Sequence, residues 1–143
     1  MDNEVLHKEI DLIQNVISRM ANNSFLLKGW MVAIIVGISV LTHDTLVTND
    51  INYFSLILVL SVLVFWYLDA FFLHKEECYR KLYEWVVKNR HKTSKNLYSL
   101  DYSPFEDKVD SILKIMFSKT LRVFYGISII IFTAIILYNI LNG

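Results

Sequence analysis

Proline occurs once in this chain of 143 residues, at Pro104, and glycine only four times. Upstream of Pro104 no proline interrupts a helix, and so few glycines leave no room for a glycine-rich loop that cradles phosphate. A single cysteine, Cys78, excludes an intramolecular disulfide and any CxxC metal motif, and it fits a reducing compartment. Basic residues are missing from two whole stretches. No Lys or Arg lies between Lys28 and Lys75, and none follows Arg122.

The stretches without cations are apolar. The chain is 55% hydrophobic with a mean hydropathy of +0.41, too apolar for an ordinary soluble domain of its size. A bilayer core of about 30 Å needs roughly 20 helical residues. Residues 25–42, 52–73 and 121–141 meet or approach that length. The predicted class is an all-α membrane protein of one domain with three spans. The acidic residues Asp2, Glu4, Glu9 and Asp11 argue against a secretory signal peptide.

The net charge of zero conceals an asymmetry that orients the spans. Lys8, Arg19 and Lys28 precede or open the first, and the other eleven basic residues lie from Lys75 to Arg122. The 43–51 turn carries Asp44 and Asp50 but no Lys or Arg. The positive-inside rule then places the N-terminus and residues 74–120 in the cytoplasm of a bacterial-type inner membrane, with the C-terminus outside. Trp30, Trp66, Tyr67 and Tyr125 would mark the inner interface, and Tyr53 and Tyr138 the outer one.

Two charges fall inside these spans. Counted from the shared 43–51 turn, Lys28 and Asp69 lie at matching depth, about 22–26 Å from the outer face. A charge at a helix centre costs about 2.5–3.5 kcal/mol on insertion scales, so an intramembrane Lys28–Asp69 pair is expected. Separate snorkelling of each side chain to the headgroups is the alternative. Small residues recur four apart at Gly29, Ala33 and Gly37, with a looser version in Gly126, Ser128 and Ala134. Such a ridge lets a second helix approach closely, although small residues are common in membrane helices in any case.

The segments outside the spans also read as helical. Leu6, Ile10, Ile13, Ile17 and Met20 recur at alternating spacings of four and three, so residues 1–22 form an amphipathic cytoplasmic helix. It is too short to be stable alone and must lie on something. "RMANNSF" would cap the first span or turn the chain. Span two continues to about Arg90 through the stripe Tyr79, Leu82, Tyr83, Val86 and Val87. Glu76–Arg80, Glu77–Lys81 and Glu84–Lys88 supply helical ion pairs. "SPFE" opens a returning helix, with Ser103 as N-cap, Pro104 at the first position and Glu106 completing a capping box. Its stripe is Phe105, Val109, Ile112, Leu113 and Met116, and it runs on into span three. The two extensions then pair as an antiparallel cytoplasmic hairpin over residues 74–120.

Little chemistry is legible. His7, His43, His74 and His91 are scattered, no HxxxH or CxxC occurs, and no metal or cofactor is expected. Arg90 and His91 would begin a HEPN-type ribonuclease motif only with a histidine where Asn96 stands. The chain is therefore expected not to be an enzyme. One basic patch stands out at the hairpin tip, Lys88, Arg90, His91, Lys92 and Lys95. It could receive an RNA, a nucleotide signal or an acidic protein, or it is simply a solvated helix end. If copies assemble around a pore, Ser39, Ser61, Asp69 and Thr133 are its candidate lining.

"RMANNSFLLKGW" entering span one and "FWYLDAFFLHKEECYRKLYEWV" leaving span two carry a resemblance. The arrangement resembles the SLATT-type bacterial membrane proteins and the small octameric membrane proteins related to the pore-forming accessories of RNA-targeting CRISPR systems. The third span departs from those patterns. What the resemblance implies is a homo-oligomer in contact with membrane lipids that opens or perturbs the bilayer in an anti-phage or stress response. A non-conducting anchor that recruits a soluble cytoplasmic partner is the alternative.

Overall fold

The computed structural model describes residues 3–41 and 51–142, so all but the last residue of the 43–51 turn, and Gly143, lie outside the described residues. α1 spans Asn3–Leu41 and α2 spans Ile51–Asn89. Short 3-10 segments follow at Arg90–Lys92 and Ser103–Lys108, then the short α3 at Ile112–Met116 and α4 at Lys119–Asn142. No strand occurs among the described residues. Three helices, α1, α2 and α4, are long and apolar enough to cross a membrane.

α1 is one helix where the sequence suggested two. At 39 residues it is about 58 Å long, as is α2. The physical reason lies in the seam. Its alternation of four and three does not stop at Met20 but runs on through Ser24, Leu27, Met31, Ile34 and Ile38. Each of these is buried or half-buried, so "RMANNSF" stays in phase and needs no turn. A serine inside a helix normally competes with the backbone. Here the Ser24 hydroxyl is taken up by Asp69 of α2 instead.

α2 lies between the other two long helices. Its buried positions Leu58, Val62, Trp66, Ala70, Cys78, Leu82 and Val86 fall on steps of four. Each such step advances about 40° round the axis, so the buried line winds round the helix. Its N-terminal half packs Leu58, Val62 and Trp66 against Leu121, Tyr125 and Phe132 of α4, with Met31 of α1 in the same cluster. Its C-terminal half packs Leu82 and Val86 against Leu6 and Ile13 of α1 and Phe105 of the returning chain.

The returning chain is not a helical extension of α4, which corrects the expected hairpin of two matched helices. α2's polar half instead pairs with the N-terminal half of α1, and residues 93–118 lie along it in short pieces. Ser103 is no N-cap: its own N–H is accepted by Asp101 at 3.0 Å, and Glu106 reaches Lys75 rather than the backbone. Val109 is extended, and Ser111 then caps a fresh helix by accepting the Lys114 N–H. That break resets the phase, so Ile115 is buried and Leu113, expected inside, is 65% exposed. The indole N–H of Trp66 donates to Met116 O at 2.8 Å and ends α3 against α2.

Inserting one alanine after Met20 rotates the two halves of α1 by about 100° relative to each other. Helix content by circular dichroism should be retained while the thermal midpoint in detergent falls. An unchanged midpoint would show that the two halves need no common register.

Candidate functional site

The polar groups of the apolar region converge on one carboxylate. Asp69 of α2 is fully buried. Its Oδ1 accepts from the Ser24 hydroxyl, and its Oδ2 lies 2.6 Å from Lys28 Nζ and accepts the Tyr125 hydroxyl at 2.9 Å. Lys28 also donates to Ser24 Oγ at 3.0 Å. The Tyr125 ring stacks on Trp66 with centroids 5.9 Å apart and planes 10° from parallel. Ser24 and Lys28 come from α1, Asp69 from α2 and Tyr125 from α4, so one acceptor joins all three long helices. An unpaired carboxylate here would carry the full cost of desolvation, whereas this one has donors on both oxygens.

Lys28 and Asp69 are thus brought together within one protomer. The other members were missed or placed differently. Tyr125 and Trp66, read as interface markers, are interior, whereas Trp30 and Tyr67 are exposed. Ser24 was read as part of a polar connector. The signal that could have identified it is its position in the continuing four-three seam, opposite the depth of Asp69. Because Asp69 is enclosed, it lines no pore in this state. Ser61 donates to the Ile57 carbonyl of its own helix at 2.9 Å, Thr133 is exposed, and the Ser39 side chain lies outside the described residues.

The expected ridge residues Gly29, Ala33 and Gly37 are all exposed. A Cβ added at Gly29, Gly37 or Gly126 would meet nothing within 4 Å. Ala134 is exposed as well. None of the ridge on α1 therefore serves packing among the described residues.

At the opposite, polar end the basic patch divides. Arg90 is 2% exposed and is not a free cation, a correction to its placement in the tip. Its Nε donates to Glu9 Oε2 at 2.6 Å, and a second guanidinium nitrogen pairs with Glu9 Oε1. A third donates to the Lys95 carbonyl at 2.7 Å. Glu9 Oε1 also accepts the Tyr98 N–H at 3.1 Å, which holds the loop where Asn96 and Tyr98 adopt positive φ. Glu9 was legible as a carboxylate lying among the apolar positions Leu6, Ile13 and Val16 of one helix face. Lys88, His91, Lys92 and Lys95 are exposed.

A third cluster pins the 3-10 turn at Ser103–Lys108 to α2. His74 Nδ1 lies 3.0 Å from the Asp110 carbonyl, leaving Nε2 to face Cys78 Sγ at 3.7 Å and Glu106 Oε1 at 3.6 Å. Lys75 binds the same Glu106 oxygen at 3.1 Å and sits 4.4 Å over the Tyr102 ring. Hydrogen bonding and charge from Lys75 hold the Glu106 carboxyl below its usual range. Cys78 is fully buried and closed to a substrate. No group of three metal-ligating side chains occurs among the described residues. No family model, curated protein or solved structure matches this chain.

Replacing Glu9 with alanine strands the Arg90 guanidinium, which should cost about 3–5 kcal/mol of stability in detergent unfolding. The double variant E9L/R90M should lose much less; equal losses would mean the pair itself, not the stranded charge, dominates. For Asp69, D69A should lower the thermal midpoint more than Y125F, and exchanging the charges as K28D/D69K should rescue poorly because Ser24 and Tyr125 still need an acceptor. Full rescue would show that these two hydroxyls contribute nothing.

The Lys75–Glu106 clamp has a defined pH sense. A depressed carboxyl stabilises above the unfolded value of 4.5 and loses that contribution as pH falls through the folded value. Protection of the amides over residues 103–108, measured as exchange relative to each amide's intrinsic rate at the same pH, should therefore weaken below pH 4.5, and E106Q should remove that pH dependence.

Proposed function

We propose that this chain is the subunit of a homo-oligomer in a bacterial inner membrane that forms or gates a pore in an anti-phage or stress response. The observation that carries the reading is the open ridge of Gly29, Ala33 and Gly37, which is exposed among the described residues of its own chain. A second helix can approach such a ridge closely. Within one protomer the buried polar groups of the apolar region are used on one another, leaving no interior polar path. Conduction then needs several copies, with the half-buried Ser61 and the exposed Thr133 as polar positions at their contacts. The resemblance to SLATT-type proteins supports the anti-phage assignment.

In this reading the N-terminus and residues 74–120 face the cytoplasm and the C-terminus lies outside. The basic ring of Lys75 to Arg122 supports that orientation. The paired polar halves of α1 and α2 then stand as a stem, with Lys88, His91, Lys92 and Lys95 at its tip. Those four solvent-facing cations favour the second reading, in which the stem recruits an acidic protein, a nucleotide signal or RNA and the membrane part only anchors it.

Replacing Gly29, Ala33 and Gly37 with leucine should leave the protomer folded, reduce its native mass in detergent or lipid discs to that of a monomer, and abolish depolarisation on induced expression. Depolarisation by a strictly monomeric variant would overturn the ridge assignment, and an oligomer that never collapses the membrane potential under triggering conditions would favour the anchor. A reporter fused after Gly143 is expected to be active only outside the cell; protection of that fusion inside sealed cells would reverse the topology.

A further inference from the structure

Where the apolar halves of the helices meet their charged halves, a cavity of about 670 Å³ opens between Lys28 of α1, residues 73–80 of α2 and the chain from Asp110 to Leu121. Its polar lining is composed almost wholly of matched charges. Lys28 is paired with Asp69, Arg80 with Glu76 at 2.6 Å, and Lys114 with Asp110 at 2.7 Å. Glu77 is the exception. The helical partner expected for it, Lys81, turns instead to Glu84 at 3.3 Å, and Glu77 makes no ion pair among the described residues. The charge left over in a groove ringed by cations is therefore negative.

The walls add a second requirement. Leu73, Ile115, Phe117 and Leu121 line the same cavity, and Phe117 is 60% exposed. Val123, Ile127 and Ile130 further along α4 are exposed as well. Glu77 stands one turn beyond Leu73, about 6 Å further along the axis, which matches the thickness of a headgroup layer. A ligand that fits must present a cation to Glu77, a phosphate beside Arg80 and Lys114, and hydrocarbon to the apolar wall.

We propose that this groove is a site for a single zwitterionic phospholipid of the ethanolamine type, with its primary ammonium on Glu77, its phosphodiester against Arg80 and Lys114, and its acyl chains along α4. An anionic lipid such as phosphatidylglycerol offers the same phosphodiester to Arg80 and Lys114 but brings no cation to Glu77, so the Glu77 contact is what selects against it. A primary ammonium can donate hydrogen bonds to Glu77, which a choline headgroup cannot. The site does not depend on whether the assembled protein conducts.

The test is native mass spectrometry of the full chain in detergent, offered equal amounts of phosphatidylethanolamine, phosphatidylglycerol and phosphatidylcholine with identical acyl chains. One molecule of phosphatidylethanolamine per protomer should be retained over either competitor by about tenfold, the scale of one charge-assisted hydrogen bond. Glu77 is exposed, so E77Q should keep its helix content and lose that preference, while R80Q/K114Q should weaken retention of all three lipids. Equal retention of the three lipids, preference for phosphatidylglycerol, or an E77Q variant as selective as the parent would each overturn the proposal.

Discussion

A buried carboxylate held by three donors from two other helices organises this molecule. Asp69 has no favourable alternative where it stands: it is fully enclosed and lies on the apolar half of α2. Its charge can be kept only if donors arrive from other helices, because the backbone N–H groups of its own helix are already engaged. Ser24 and Lys28 on α1 and Tyr125 on α4 are those donors. The directional demand of the two oxygens sets the rotation and depth of both neighbours in a way that non-directional apolar contact could not.

From that junction the two halves of the molecule follow different rules. On one side lie helices whose outward residues, such as Phe25, Trp30, Val36 and Ile130, are large, apolar and exposed. On the other, α1 and α2 form a stem whose outer surface is charged and whose far end is closed by the Glu9–Arg90 pair. The stem is fastened by Arg90 at its tip and by Asp69 at its base, and the His74, Lys75 and Glu106 group near the base ties the returning chain to α2. Because α1 and α2 are each unbroken over 39 residues, a displacement at the tip has a rigid path to the base. The irregular chain from Thr93 to Ser118 is strapped along α2 by side-chain contacts, not by helical packing of its own.

The proposals draw on complementary surfaces. The assembly reading uses what the protomer leaves uncovered, a ridge of small residues beside open space. The lipid site uses what it leaves unneutralised, one carboxylate in a groove of otherwise matched charges. In both, the internal pairing comes first. Only after Lys28, Arg80, Lys114 and Arg90 are seen to be engaged does it become clear which charges face outward for another molecule.

Composition and periodicity alone determined that this chain is helical, that three of its stretches are apolar enough to cross a bilayer, and that Lys28 and Asp69 lie at one depth. Each of these depends on residue type and linear spacing, which a helix converts directly into height and face. The tertiary structure decided what depends on azimuth between helices. The continuity of α1 through "RMANNSF" was latent in its four-three seam, but the role of Ser24 there was decided only when it met Asp69, and the returning chain broke at Val109 although its apolar stripe had read as one helix. Arg90 and Lys92 look alike in sequence, yet one is buried on Glu9 and the other faces solvent. Linear spacing cannot separate them, because the carboxylate that claims Arg90 is 81 residues away and is brought to it only when α1 folds back along α2.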